Sequence, residues 1–222
     1  MRRVATAIAC SVFVCASAAV CAAQPSLPKY EVSAGVRWVG PFAIGSEVAD
    51  ETAPGGGSRS LFSSHTRLGS SVGATAGFGV QLSRAIRAEM AAGYGTAQLS
   101  SKVSADLEQV ADTTVRTPVT QIVVETGILA QRSRWRARRV QPFVTAGVGY
   151  LREMYEGRTL IETGSAVYVG GGLYYGGASA RPRHRAPGLR VDLRGYVRRG
   201  GVASTTMVHA APELTATMFV RF

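Results

Sequence analysis

Beyond position 21 the sequence has no cysteine: Cys10, Cys15 and Cys21 are the only three in 222 residues. The rest of the chain therefore has neither a disulfide framework nor a thiolate metal site. Lysine is almost missing as well, with only Lys29 and Lys102, so nearly all of the positive charge is arginine. After the N-terminus no apolar run reaches the ~20 residues of a spanning helix, which excludes a multi-helix membrane protein. No amphipathic helical pattern of comparable length occurs either. The three histidines, His65, His184 and His209, have no metal-ligand spacing, and no nucleic-acid motif accompanies the formal net charge of +11. No cofactor, metal or nucleic-acid partner is expected.

What is present begins with a leader. Arg2 and Arg3 precede an apolar stretch over residues 4–20, and Cys21-Ala22-Ala23 supplies small residues before Gln24. This is the layout of a cleaved export signal, so residues 1–23 read as signal peptide and 24–222 as the mature domain. A lipoprotein anchor at Cys21 would need a small residue before it, where Val20 stands. Cleavage would remove Arg2 and Arg3 with all three cysteines, lowering the net charge by two, to +9. A chain that is 46% hydrophobic with 26 glycines is too apolar for a disordered one.

The mature part alternates with a period of two, over and over. In 70–83 one parity reads Val72, Ala74, Ala76, Phe78, Val80, Leu82 and the other is Ser, Gly, Thr and Gln throughout. In 188–197 Leu189, Val191, Leu193 and Val197 alternate with Arg190, Asp192, Arg194 and Tyr196. Six more segments behave alike: 30–40, 86–96, 119–131, 141–151, 165–175 and 214–222. Two are less clean, because Val123, Leu129, Phe143 and Leu151 fall on the opposite parity. Eight such strands predict an all-β chain closed as an antiparallel up-and-down barrel.

The apolar parity could point inward around a ligand, as in a soluble lipocalin-like periplasmic carrier, or outward into lipid. The polar parity separates the two. It carries Glu31, Glu89, Glu125, Asp192 and Glu213 against Arg37, Arg87, Arg190, Arg194, Arg198 and Arg221. So nearly balanced a set suits a narrow lumen that buries ions in mutual pairs, whereas an aqueous surface would show more Lys and Gln. Glycine on the same parity, such as Gly77, Gly93, Gly147 and Gly170, suits a tightly curved wall. The transmembrane form is therefore expected. With the first strand running outward, Trp38, Tyr94 and Tyr150 form an outer aromatic girdle and Tyr30, Tyr175 and Phe222 an inner one.

In this pattern, across essentially all of residues 24–222, the chain resembles the small eight-stranded bacterial outer-membrane barrels, of the OmpA-type and opacity-like porin-family group. Its most specific motif is the C-terminal Leu214-Thr-Ala-Thr-Met-Phe-Val-Arg-Phe222, similar to the terminal strand through which such chains meet the barrel-assembly machinery. The resemblance implies an outer-membrane location among lipids and lipopolysaccharide. It departs from OmpA-type chains in that no peptidoglycan-binding domain is expected after the last strand.

The connections sort by side. Segments 41–69, 97–118, 152–164 and 199–213 are expected outside, the first long and mobile around Pro54-Gly-Gly-Gly57. The inner turns are 84–85, 132–140 and 176–187. The latter two are basic, with Arg132, Arg134, Arg136, Arg138 and Arg139 in one and Arg181, Arg183 and Arg185 in the other. They suit solvated turns at anionic headgroups, or a contact for peptidoglycan or another envelope partner. A rim enzyme would need His65 or His209 to meet an acid such as Asp50 or Glu213, and neither histidine has the spacing for it. The expected function is that of a non-enzymatic outer-membrane barrel with a structural, surface-display or adhesion, or minor-channel role.

Overall fold

The computed structural model describes residues 30–52, 58–104, 113–132, 134, 137, 139–155, 159–176, 187–202 and 208–222, without the side chains of 51, 52 and 58–61. The leader over residues 1–23 lies outside the described residues, as do Pro54–Gly57, Trp135, Arg136, Arg138, Arg181, Arg183, His184 and Arg185.

Ten strands follow one another: β1 (Tyr30–Val39), β2 (Phe42–Thr52), β3 (Ser58–Leu68), β4 (Ser71–Gln81), β5 (Ile86–Ser104), β6 (Thr113–Gln131), β7 (Val140–Tyr155), β8 (Leu160–Gly176), β9 (Pro187–Gly200) and β10 (Val208–Arg221). Eight of them, β1 and β4–β10, form a closed antiparallel ring with every strand hydrogen-bonded to two neighbours. Each overlaps one of the eight alternating segments. Closure comes at β1 and β10, where Tyr30 and Phe222 exchange backbone hydrogen bonds of 3.3 and 3.0 Å. Full closure removes the unpaired strand edges that a membrane interior could not satisfy.

The two ends differ. At the end that holds Tyr30 and Phe222, β4 and β5 are joined by a tight turn in which the Ser83 hydroxyl accepts the amides of Ala85 (3.3 Å) and Ile86 (3.2 Å). At the opposite end the strands run on far past the alternation, β5 and β6 pairing out to Val103 and Thr113. Short turns inside and long extensions outside are the habit of transmembrane barrels, which makes the first end the inner one.

The outer segments differ from the loops expected of them. Most of 41–69 is a β-hairpin: β2 continues β1 after a break at Gly40-Pro41, β3 precedes β4 across a break at Gly69-Ser70, and β3 pairs with the outer half of β5. Parts of 97–118, 152–164 and 199–213 are likewise strand. Outside the lipid both faces of a strand are polar, so the alternation fades while the hydrogen-bonded ladder continues. In the hairpin, register shifts at Ala43/Gly45 and Ala49/Asp50 also break the period.

Candidate functional site

The barrel is apolar outside and charged inside. Val36, Val72, Met90, Val148, Val169 and Leu193 are among the large apolar side chains left exposed on its outer surface, while Glu31, Arg87, Glu125, Arg190, Asp192, Arg194, Arg198 and Glu213 are buried in the lumen. A soluble carrier needs the reverse distribution, so the lipocalin-like alternative does not fit this fold. The aromatic side chains Tyr30, Trp38, Tyr94, Tyr150, Tyr175 and Phe222 all lie on the exposed parity, and Tyr30 stacks on Phe78 with ring centroids 6.0 Å apart.

The lumen is built in layers. At the inner end Glu31 on β1 is met by Arg87, and by Arg221 Nε at 2.7 Å, while the Tyr174 hydroxyl donates to it at 3.0 Å. Gln81 accepts from Arg87 at 2.8 and 3.1 Å, completing that guanidinium's partners. Leu129, Phe143, Tyr174 and Phe219 pack together beside these ions, and Arg221 lies over the Tyr174 ring at 4.4 Å. The apolar residues fit because the rings cover the flat guanidinium faces while the carboxylates take the edges.

At mid-height β9 supplies three charges on one face, two residues apart, as a strand must. Arg190 donates to Glu89 at 2.6 Å and through Nε to Asp192 at 2.9 and 3.0 Å. Arg194 bridges Asp192 and Glu125, both at 2.9 Å, and lies 3.6 Å from Glu213. Arg37 from β1 closes the ring, 2.8 Å from Glu213 and 3.3 Å from Glu125. Thr145 and Thr215 donate to Glu89 and Asp192 at 2.9 and 3.2 Å. Tyr168 stands beneath Arg194, 4.7 Å from ring centroid to guanidinium, with its hydroxyl against the backbone where Gly127 faces Gly147. A Cβ on Gly147 would sit 2.5 Å from that hydroxyl, so glycine is required for the ring to reach across.

Toward the outside Glu153 accepts from Arg198 (2.6 Å), Gln121 (2.6 Å) and the Val202 amide (2.7 Å). Gly200 and Gly201 have φ of 83° and 76°, which folds the chain after β9 inward and delivers that amide. Above them Phe42, Leu68, Ala97, Val119 and Ala211 form an apolar cap, backed by Val39, Ile44, Leu99, Tyr155 and Val202. His209 packs its ring on Phe42 at 5.4 Å.

The structure thus brings together all eleven charged residues read from the polar parity. It adds Glu153, fully buried, which the sequence reading leaves in an outer loop. Its position two residues after Leu151 on the lumen parity is the signal that finds it. With Glu153 included, the ion-paired lumen charges among the described residues are six carboxylates and six guanidiniums. The off-parity Val123, Leu129, Phe143 and Leu151 are lumen residues too, each buried in an apolar layer between ion pairs. Tyr168, Tyr174 and Tyr196, on the parity opposite the lipid-facing residues, are lumen aromatics.

Other candidates are dispersed. His65 is exposed on the outer face of β3, while Glu213 is committed to Arg37 inside the lumen, so these two do not form a dyad. The Ser63 hydroxyl is engaged with Ser104 at 3.2 Å. Arg132, Arg134 and Arg139 are exposed at the inner end. No helix of the described residues is long and apolar enough to cross a membrane.

Comparison with known proteins gives no match to any protein-family model and none to the curated proteins by sequence. Among solved structures, the chain is similar to the outer membrane protein OprG from Pseudomonas aeruginosa, with a TM-score of 0.51 at 13% identity over 88% of this chain and 96% of that one. It is similar also to Neisserial surface protein A, with a TM-score of 0.50 at 14% identity over 87% of this chain and 97% of that one. Fold and surface together define a transmembrane β-barrel of the outer-membrane type. More narrowly, the fold is that of the small eight-stranded outer-membrane barrels.

Proposed function

We propose that this barrel is a closed-lumen, non-enzymatic protein of the outer membrane whose role is structural and display: it anchors the β2–β3 hairpin and the other outer segments at the cell surface. The observation that carries this reading is the filled lumen. Two voids lined by its described residues measure about 40 Å³, beside Ser33, Thr75 and Gly77, and about 20 Å³, beside Gly73, Gly95 and Gln121. Each has room for roughly one to three water molecules. A hydrated ion would have to displace neutralised, hydrogen-bonded pairs to pass, so a minor-channel role is the weaker alternative.

The reading extends to partners. The β10 strand, with Leu214 and Met218 on its outward face and Phe222 just after it, is the segment offered to the barrel-assembly machinery. The inner arginines, including Arg132, Arg134 and Arg139, face the side where peptidoglycan or another envelope partner would lie. Planar-bilayer recording tests the closed lumen: incorporated barrel is expected to leave the membrane at baseline conductance near neutral pH. Steady open channels in every incorporation would overturn it.

A further inference from the structure

The outward face of the sheet changes chemistry at one level. On β5, Met90 and Tyr94 are followed on the same parity by Gln98, Ser100 and Lys102. On β6 the corresponding parity passes from Val124 and Ile122 to Arg116 and Thr114. The hairpin strand β3 adds His65 and Arg67 on the same side. Register joins them into two rows: Arg67 stands opposite Ser100 and Ser100 opposite Arg116, while His65 stands opposite Lys102 and Lys102 opposite Thr114. Residues facing one another across a ladder are ~5 Å apart at Cβ, so three cations and an imidazole share one small patch.

The patch is concave. Where β3 parts from β4 at Gly69-Ser70, a groove of about 820 Å³ opens on this outer face, and its lining includes Arg67, Arg116, Lys102, His65, Gln98 and Ser100. No carboxylate is among the described residues that line it. Gln98 lies four residues beyond Tyr94 and Lys102 eight; at ~3.3 Å per residue and a strand tilt of ~40°, the groove stands about 10–20 Å above the outer aromatic row. That is above the hydrocarbon and within the phosphate and sugar layer of an outer-leaflet glycolipid.

We propose that this groove is a binding site for the phosphate groups of the phosphorylated glycolipid in the outer leaflet. Arg67 and Arg116 supply planar guanidinium forks suited to phosphate oxygens, Lys102 a point charge, and Gln98 and Ser100 neutral donors. The site rests on the membrane reading above, which supplies both its height and its ligand.

The test uses the folded barrel in nanodiscs of phosphatidylcholine, titrated with bisphosphorylated lipid A and, separately, with dephosphorylated lipid A. Wild-type barrel is expected to retain the phosphorylated form. Affinity should fall about tenfold or more with the dephosphorylated lipid, and equally in Arg67→Ala/Arg116→Ala. Arg152→Ala, exposed on β7, should change little. Equal binding by the double variant, or equal binding of both lipids, would overturn the site, and full competition by millimolar inorganic phosphate would overturn the lipid as its ligand. Heat-modifiable migration, read in parallel, reports insertion: its absence in wild type would instead fail the membrane reading itself.

Discussion

Asp192→Ala is expected to destabilise the barrel by about 3–5 kcal/mol, because it removes the carboxylate that two buried guanidiniums share and leaves the lumen with a surplus cation. Asp192 accepts from Arg190 Nε at 2.9 and 3.0 Å, from Arg194 at 2.9 Å and from Thr215 at 3.2 Å. Without it the lumen has five ion-paired carboxylates against six arginines, and the surplus charge lies where water has little room. The measurement is a urea titration of the folded barrel in lipid vesicles, following the heat-modifiable gel form. Asp192→Asn keeps the volume and one acceptor, so it should fold and lose less. Adding Arg194→Met to Asp192→Ala removes the surplus cation together with a bulky side chain and should recover part of the loss. A midpoint for Asp192→Ala equal to wild type would show that the lumen ions are not what holds the wall together.

The same arithmetic explains why the lumen is layered instead of uniformly charged. An ion pair in a narrow barrel gains most when its remaining donors and acceptors are also met, as every nitrogen of Arg87 and Arg190 is. Tyrosine and phenylalanine rings fill the space between pairs without adding charge, and they cover guanidinium faces: Arg190 lies over Phe143 at 4.8 Å and Arg198 over Phe42 at 4.7 Å. The residues that spoil a strict polar-in, apolar-out alternation are those that make the charged interior tolerable.

That is also why part of the molecule is legible from sequence and part is not. Inside the lipid one face of every strand must be apolar, so Val72 to Leu82 or Leu189 to Val197 reveals a strand by alternation alone. Outside the lipid no such demand exists, and Arg67, Ser100, Lys102 and Arg116 show strand structure only once their ladder partners are known. Glu153 belongs to the same zone. Its parity matches Leu151, but the next outward residue after Tyr150 is Arg152, so the alternation stops just before the residue that Arg198 needs. The balance of lumen charge, five acids to six arginines by parity, shows the design with one carboxylate short.

Leu193→Arg tests the outer surface as Asp192→Ala tests the inner. Leu193 lies at the centre of the outward residues of β9, between Leu189 and Val197, with 62% of its surface exposed. On a soluble protein, replacing so exposed a leucine by arginine would be close to neutral or mildly favourable. At the midplane of a bilayer the same change costs ~2–4 kcal/mol, since the guanidinium must drag water inward or stretch toward the headgroups. The expected result is therefore a loss of about that size in lipid vesicles, falling below ~1 kcal/mol when the arginine is placed instead at Val208, beyond the outer aromatic row. Val208 is as exposed as Leu193, at 65%, so exposure alone cannot produce the contrast. Equal effects at the two positions would mean that no hydrocarbon surrounds the strand at Leu193, whereas a depth-dependent penalty would identify the apolar belt as the surface that lipid covers.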